Sequence, residues 1–212
     1  PRHSEAVSFE QLRALADSYD LLRMVIEKRK DQLEQMDWTI QRRDIASTQH
    51  NESQQRDART DMAIEFFKNP DKASGWAGWL RQVVEDLLVL DAPTLYVRRT
   101  RGGDVYALEP LDGATIKRIL DGSGRTPAAP VTAYQQVLHG MPAVDYTADE
   151  LIYRPRNPRT HKVYGYSPVE QIIVTVNIAL RRQASMLEYY RSGSVPDALI
   201  GVPPDWTPEQ IQ

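Results

Sequence analysis

The stretch Val163-Tyr164-Gly165-Tyr166-Ser167-Pro168-Val169-Glu170-Gln171-Ile172 marks the point where the sequence changes from strand patterns to a helix pattern. Ser167 is a favourable N-cap residue, Pro168 suits the first helical position, and Glu170 completes a Ser-x-x-Glu capping box. Apolar residues then recur at helical spacing, and Gly193 can supply the left-handed turn that ends the helix. The stretch predicts a long helix, and capping alone accounts for its serine.

The region before this stretch contains short runs rich in β-branched and aromatic residues, separated by turn signals. Residues 94–99 and 105–109 flank Arg101-Gly102-Gly103-Asp104, which predicts a hairpin. Further strands are predicted at residues 115–120, 133–138 and 151–154, with turns at residues 121–124 and 139–142. The pattern indicates a small, mainly antiparallel sheet.

The N-terminal third is dominated by helical spacing. Apolar residues three and four apart from Leu12 onwards predict one long helix or two shorter ones. Residues 37–41 favour a strand, because they include Trp, Thr and Ile. Residues 46–60 are almost wholly polar and predict a solvent-exposed loop. Helices are predicted at residues 62–67 and from Ser74 to Leu90.

These elements predict an α+β fold in which long helices pack on a small, mainly antiparallel sheet. The expected organisation is an N-terminal helical segment at 1–45, a polar loop at 46–60, an α+β body at 61–166, a long helix with a returning strand at 167–202, and a further helix starting within 203–212. A capping pattern at Thr207-Pro208 places a helix start at the end of the sequence. We therefore expect the sequence to be one piece of a longer polypeptide.

Composition excludes several classes of function. The 26 basic and 29 acidic residues give a formal net charge of −3, so no overall basic field favours nucleic-acid binding. The absence of cysteine excludes disulfides and thiolate metal sites. No apolar run approaches the roughly 20 residues that a membrane span needs, and no signal peptide is recognisable.

Candidate catalytic groups are few. The sequence has no phosphate-binding loop, no dinucleotide-binding glycine motif and no His-Glu-x-x-His metal motif, so we predict no cofactor. The four histidines have no metal-ligand spacing. Carboxylates do cluster at Asp145, Asp149 and Glu150, and a two-metal nuclease needs several such groups at one point. Thr147 and Glu150 also satisfy a capping pattern, which favours a turn there.

A second cluster is basic. Arg154, Arg156, Arg159 and Lys162 lie on a proline-broken loop with tyrosines nearby, a composition that can contact phosphates or an acidic neighbouring surface. Runs of charge are more often solvated or paired with nearby carboxylates. We treat these four residues as candidate contacts to another subunit or to DNA.

The order of these features resembles the portal proteins of tailed bacteriophages, of the long-tailed siphophage type. The anchors, in chain order, are Asp37-Trp38-Thr39-Ile40, Phe67-Lys68-Asn69-Pro70, the strand Tyr96-Val97-Arg98-Arg99 with Gly103-Asp104-Val105, Leu108-Glu109-Pro110-Leu111, Asp149-Glu150-Leu151-Ile152-Tyr153, the motif residues Tyr164, Gly165, Ser167, Pro168 and Glu170, and the turn Ser192-Gly193-Ser194-Val195-Pro196. The sequence departs from the family at Asp91-Ala92-Pro93, where related chains tend to carry a glycine-containing link.

The resemblance implies the N-terminal portion of a non-enzymatic ring subunit, commonly one of twelve, at one vertex of a capsid. The ring would form the channel through which double-stranded DNA enters and leaves. Implied partners are sister subunits, the major capsid protein, the terminase and a head–tail adaptor, with no membrane contact. The implied location is the virion, assembled in the bacterial host cytoplasm.

Two other interpretations remain open from the sequence alone. One is a metal-dependent nucleic-acid enzyme domain of a mobile element, using Asp145, Asp149 and Glu150. The other is a general α+β interaction module of a mobile element.

Overall fold

A computed structural model of the chain describes residues 5–41 and 58–192. The chain begins with helix α1 at Phe9–Ser18 and helix α2 at Asp20–Glu34. Ser8 and Gln11 form a reciprocal capping box at the start of α1. Tyr19 separates the two helices because its backbone is extended, at φ −114° and ψ 105°. Of the two predicted arrangements, one long helix or two shorter helices, the structure has the two shorter helices.

The strand expected at residues 37–41 is absent from the described structure, and that prediction was wrong. The indole of Trp38 packs on an aromatic cluster instead, with ring centres 4.9 Å from Trp76 and 6.4 Å from Phe67. Trp, Thr and Ile favour a pleated surface only when a partner strand is available to pair with them.

Helix α3 runs from Ala58 to Lys68, and helix α4 from Gly75 to Val89. The polar loop predicted at 46–60 therefore ends too late, because residues 58–60 belong to α3, and residues 46–57 lie outside the described residues. The sequence signal failed there because the first turn of a helix tolerates polar residues at its exposed positions.

Two three-stranded antiparallel sheets form the middle of the chain. The strands are β1 Thr94–Arg99, β2 Val105–Leu111, β3 Ile116–Arg118, β4 Thr132–Leu138, β5 Met141–Thr147 and β6 Leu151–Tyr153. The first sheet has the order β2-β1-β6 and the second has the order β3-β4-β5. The α+β class and its antiparallel character are confirmed, while the strands divide between two sheets.

Strand β5 has no counterpart among the sequence predictions. The sequence predicts a turn over residues 139–142, but the left-handed His139-Gly140 pair forms a tight turn alone, with φ values of 50° and 80°. Met141 already pairs with Leu138 across the hairpin. Because Pro142 occupies an outer strand, its missing N–H does not disrupt the sheet.

The helix predicted to start at Ser167 is divided into two. Helix α5 covers only Pro168–Gln171, and α6 covers Ile173–Ser192, with Ile172 out of the helical region at φ −110° and ψ 10°. The prediction of one continuous helix from Ser167 was therefore wrong over its first turn. Gly193, the returning strand and the helix at 203–212 lie outside the described residues.

Contacts group the chain into two compact units, Pro1–Ile173 and Val174–Gln212. The finer division into five segments remains a prediction. Within the described ranges 5–41 and 58–192, none of the helices has the length and apolar character of a membrane span.

Charged residues join α1 and α2 to α4. Lys30 on α2 is buried and pairs with Glu27 at 2.9 Å and with Glu85 of α4. Arg13 of α1 lies 3.1 Å from Asp86, whose other carboxylate oxygen accepts the Gly113 N–H at 2.8 Å. Burial raises the pKa of Asp86 and outweighs the opposing effects of Gly113 and Arg13. These ion pairs connect α1 and α2 to α4.

Candidate functional site

The motif stretch lies against the C-terminal end of helix α4. Gly165 is buried beside Asp91, and an alanine Cβ at this position would overlap the Asp91 carboxylate and lie 2.7 Å from Cβ of Pro155. No positive φ is involved, so this glycine is required for space rather than for conformation. Asp91, Gly165 and Ser167 together are called the α4 junction below.

Asp91 connects α4 to the basic loop. Its backbone is left-handed, with φ 54°, at the position after a helix end where glycine is the usual residue. Its fully buried carboxylate accepts the Arg156 N–H at 2.6 Å and the Asn157 N–H at 2.8 Å. An aspartate therefore combines a turn that glycine ordinarily makes with two bonds that glycine cannot make.

Ser167 joins two helix ends. Its hydroxyl donates to the Val89 carbonyl oxygen at 2.5 Å, and it accepts the N–H groups of Val169 at 3.0 Å and Glu170 at 3.3 Å. The last carbonyls of α4 and the first N–H groups of α5 lack partners within their own helices. One buried side chain satisfies members of both groups, so the predicted N-cap role of Ser167 is observed.

Substitution Ser167→Ala should lower the free energy of unfolding by about 2 kcal/mol, the upper part of the range for losing an N-cap, because the Val89 carbonyl also loses its donor. Thermal and urea denaturation would measure the change. Ser8→Ala is the matched control, since Ser8 caps α1 through the same kind of bond at a more exposed site. It should cost about 1 kcal/mol or less. Equal effects at both positions would contradict the joining role.

The contacts of Tyr164 and Pro168 are also those of packing and helix formation. The Tyr164 ring is buried and meets Phe9 of α1 edge-on, with ring centres 5.4 Å apart. Pro168 occupies the first turn of α5. Trp38 does not lie in the α4 junction but in the separate aromatic cluster with Phe67 and Trp76. The residues that carry the portal resemblance therefore include members of two packing sites, the α4 junction and the aromatic cluster around Trp38.

Two of the four candidate basic residues face inward. Lys162 pairs with Glu5 at 2.7 Å. The Arg159 guanidinium lies 4.2 Å from the centre of the Tyr166 ring, and its Nη2 is 3.8 Å from Glu170 Oε1, which is too far for a hydrogen bond. Both cations therefore interact within the chain, which argues against contact with another subunit or with DNA through Arg159 or Lys162.

The other two candidates, Arg154 and Arg156, are exposed. No ion pair involves either side chain within residues 5–41 and 58–192. The structure thus divides the basic loop into a structural pair and a solvent-facing pair, and Arg154 and Arg156 remain the candidates for external contact.

The three candidate carboxylates do not converge. Asp145 accepts from Gln135 at 2.9 Å, and Glu150 accepts from the Thr147 N–H at 2.9 Å, as the capping pattern indicates. No group of three or more His, Asp or Glu side chains placed to hold a metal exists in the described part of the chain. Of the histidines, His3 and His50 lie outside that part, and His139 and His161 are exposed.

Sequence reasoning missed Asp91, the residue on which the α4 junction depends. The departure at Asp91-Ala92-Pro93 was the available signal, because Asp is one of the few residues that tolerate a left-handed backbone. What the sequence did not reveal was that its carboxylate reaches residues more than sixty positions away.

Solved structures show the same fold. The chain matches a chain in the virion of a native gene transfer agent (GTA) particle, with a TM-score of 0.54 and 18% identity, over 71% of this chain and 42% of the other. This chain shares its fold with a GTA particle protein. Two neck structures match similarly. A chain in the neck of an empty GTA particle, computed with C6 symmetry, matches with a TM-score of 0.53 and 18% identity, over 70% of this chain and 41% of the other. A chain in the neck of a native GTA particle, computed with C12 symmetry, matches with a TM-score of 0.53 and 17% identity, over 71% of this chain and 42% of the other.

The chain thus spans about two-fifths of the length of these structural neighbours. No family model matches it, and no curated protein does. At this level of identity the likeness establishes the fold.

Proposed function

We propose that this chain is part of a portal-type subunit, which forms a ring at one vertex of a phage-like capsid and lets double-stranded DNA pass through it. The observation that carries the proposal is the fold shared with neck chains of GTA particles, over 70–71% of this chain. The neck of the native particle was computed with C12 symmetry, which fits a ring of twelve copies.

The motif order supports the same function. The sequence resembles portal proteins at Tyr164, Gly165, Ser167, Pro168 and Glu170. In the structure, the contacts of Gly165 and Ser167 are packing and capping contacts. A scaffold role needs such residues to hold elements together, whereas a nuclease needs carboxylates that meet at one point.

Charge also suits a channel protein. A chain of net charge −3 attracts DNA only weakly, and weak contacts let DNA slide, because phosphate neutralisation by clustered cations creates tight, salt-dependent binding. The exposed Arg154 and Arg156 are the proposed external contacts, to a neighbouring subunit or to DNA. The proposed partners are sister subunits, the major capsid protein, the terminase and a head–tail adaptor, in a virion assembled in the host cytoplasm.

The test is the state of the full-length protein in solution. Native mass spectrometry should give one discrete large assembly, of twelve copies if the symmetry of the native GTA neck applies. Electron microscopy should show end-on views with a central channel. A stable monomer at micromolar concentration would contradict the proposal. Mg²⁺-dependent cleavage of DNA that is lost in Asp149→Ala would instead establish the enzyme interpretation.

A further inference from the structure

A small cleft lies between the end of strand β3 and the basic loop. Its volume is about 300 Å³, and it is lined by Arg118, Leu120 and Gly124 on one side and by residues 160–163 on the other. Because one water occupies about 30 Å³ of the liquid, this space holds a tetrahedral oxyanion together with several waters. These lining residues are called the β3 cleft.

The lining of the β3 cleft is cationic. Arg118 and Lys162 are positively charged, His161 adds an imidazole, and none of the described residues that line it carries a carboxylate. A second cleft, of about 440 Å³, has three cations and three carboxylates in its lining: Arg13, Lys30, Arg81, Glu85, Asp86 and Asp112. Each of its cations forms an ion pair. Of the two clefts, the β3 cleft is therefore the one with excess positive charge.

Arg118 is the main source of this charge. Its guanidinium bonds two neutral oxygens, the Val163 carbonyl and, at 3.1 Å, the Thr126 hydroxyl. Within residues 5–41 and 58–192 it pairs with no carboxylate, and its buried Nε–H has no acceptor there. A partly desolvated charge without a counterion is unfavourable. Neutral groups thus hold the guanidinium in place, and its charge is available to an anion.

Further donors reach the cleft from the basic loop. Lys162 has three N–H donors and bonds Glu5 at 2.7 Å. Thr160 and His161 are exposed, and neither side chain has a hydrogen bond to any residue that the structure describes. Donors from four side chains therefore surround one cavity.

The carboxylates near this cavity are already engaged. Asp121 accepts the N–H groups of Ser123 at 2.8 Å and Arg125 at 3.0 Å within its own turn. Glu5 is buried and pairs with Lys162. Glu5 therefore competes with an incoming anion for one of the two cations and leaves the other unopposed.

We propose that the β3 cleft binds a small, free oxyanion of the phosphate class. The Arg118 guanidinium provides the charge, and Thr160 and His161 donate hydrogen bonds. Lys162 is shared between the anion and Glu5. Arginine suits this ligand, because its planar donor group matches two oxygens of a phosphate. The site lies within one compact unit of one chain, so the inference goes beyond the proposed function and does not depend on ring formation.

The size of the cleft favours a free anion over DNA. A duplex binds through several backbone phosphates spread over a surface, whereas a recess of about 300 Å³ admits a single small group. The ion pair between Lys162 and Glu5 also keeps that cation inside the chain.

Calorimetric titration of the full-length protein with inorganic phosphate tests the site. At constant ionic strength we expect saturable binding of one phosphate per chain, with a Kd of roughly 1 mM, because the open cleft leaves the anion partly hydrated. Arg118→Gln should weaken binding about tenfold or more, since it removes the charged donor. Circular dichroism should show this variant folded.

Two further variants avoid the contacts of Arg118 with the fold. His161→Gln should weaken phosphate binding about threefold through the loss of one charge-assisted donor. The matched control is His139→Gln, which changes an exposed histidine far from the β3 cleft lining and should leave the affinity unchanged. Glu5→Gln should act in the opposite direction and tighten binding about threefold, because Lys162 no longer faces a competing charge.

The pattern of gain and loss decides the outcome. Absence of saturable binding at roughly twenty times the expected Kd would overturn the site, as would equal affinities in His161→Gln and His139→Gln. Unchanged or weaker binding in Glu5→Gln would also count against it. Displacement of phosphate by a short DNA duplex, at an equal concentration of phosphate groups, would overturn the assignment to a small free anion. Ring assembly is measured separately, so failure of this site leaves the proposed function untouched.

Discussion

Replacing Gly165 with alanine should lower the free energy of unfolding by about 3 kcal/mol, at the upper end of the usual cost of overpacking. The added Cβ would overlap the Asp91 carboxylate and lie 2.7 Å from Cβ of Pro155. The Asp91 carboxylate cannot move freely, since it is held by two backbone N–H groups. Urea denaturation followed by circular dichroism would measure the loss.

The control for this substitution is Gly122→Ala. Gly122 has no positive φ, and a Cβ there would meet nothing within 4 Å. The same chemical change should therefore alter stability by less than about 0.5 kcal/mol, or stabilise slightly by restricting the unfolded chain. If the two alanine variants had equal stability, the close packing described at the α4 junction would be wrong.

Substitution Asp91→Ala should also cost about 3 kcal/mol. It removes the acceptor from the N–H groups of Arg156 and Asn157 and places alanine at a left-handed backbone angle, φ 54°. Asp91→Asn should cost less, because asparagine tolerates that angle and keeps one acceptor oxygen. The measurement is again equilibrium unfolding.

Asp121→Ala is the control for Asp91. Asp121 also accepts backbone N–H bonds, from Ser123 at 2.8 Å and Arg125 at 3.0 Å, but it is exposed, so water can replace them. It should cost about 1 kcal/mol or less. The double variant Asp91→Ala with Gly165→Ala should lose less than the sum of the two single losses, because the carboxylate that the new Cβ overlaps is gone. Strict additivity would show that the two residues do not interact.

Local signals allowed most of the secondary structure to be predicted. The hairpin at Arg101-Gly102-Gly103-Asp104 and the cap at Ser167 depend on neighbouring residues, and both were located correctly. Strand β5 and the break at Ile172 were not, since each depends on what the segment packs against. The false strand at residues 37–41 has the same cause, because β-propensity without a partner strand is insufficient.

The site was predicted less completely than the fold. The motif residues of the stretch were identified, but the reason for glycine at position 165 depends on Asp91, which is distant in sequence. The basic loop also looked uniform from the sequence, yet Lys162 and Arg159 interact within the chain and Arg154 and Arg156 face solvent. Charge counts cannot distinguish inward from outward side chains, since that depends on partners such as Glu5.

The bond from Ser167 to Val89 has a consequence for biosynthesis. It joins residues 78 positions apart, and the Lys162–Glu5 pair joins residues 157 apart. Contacts of such sequence separation slow folding, because much chain entropy is lost before they form. During translation, the helices made early must wait until the motif stretch has left the ribosome before the end of α4 acquires its partner. Until then, α4 lacks one of the contacts that anchor its end in the folded chain.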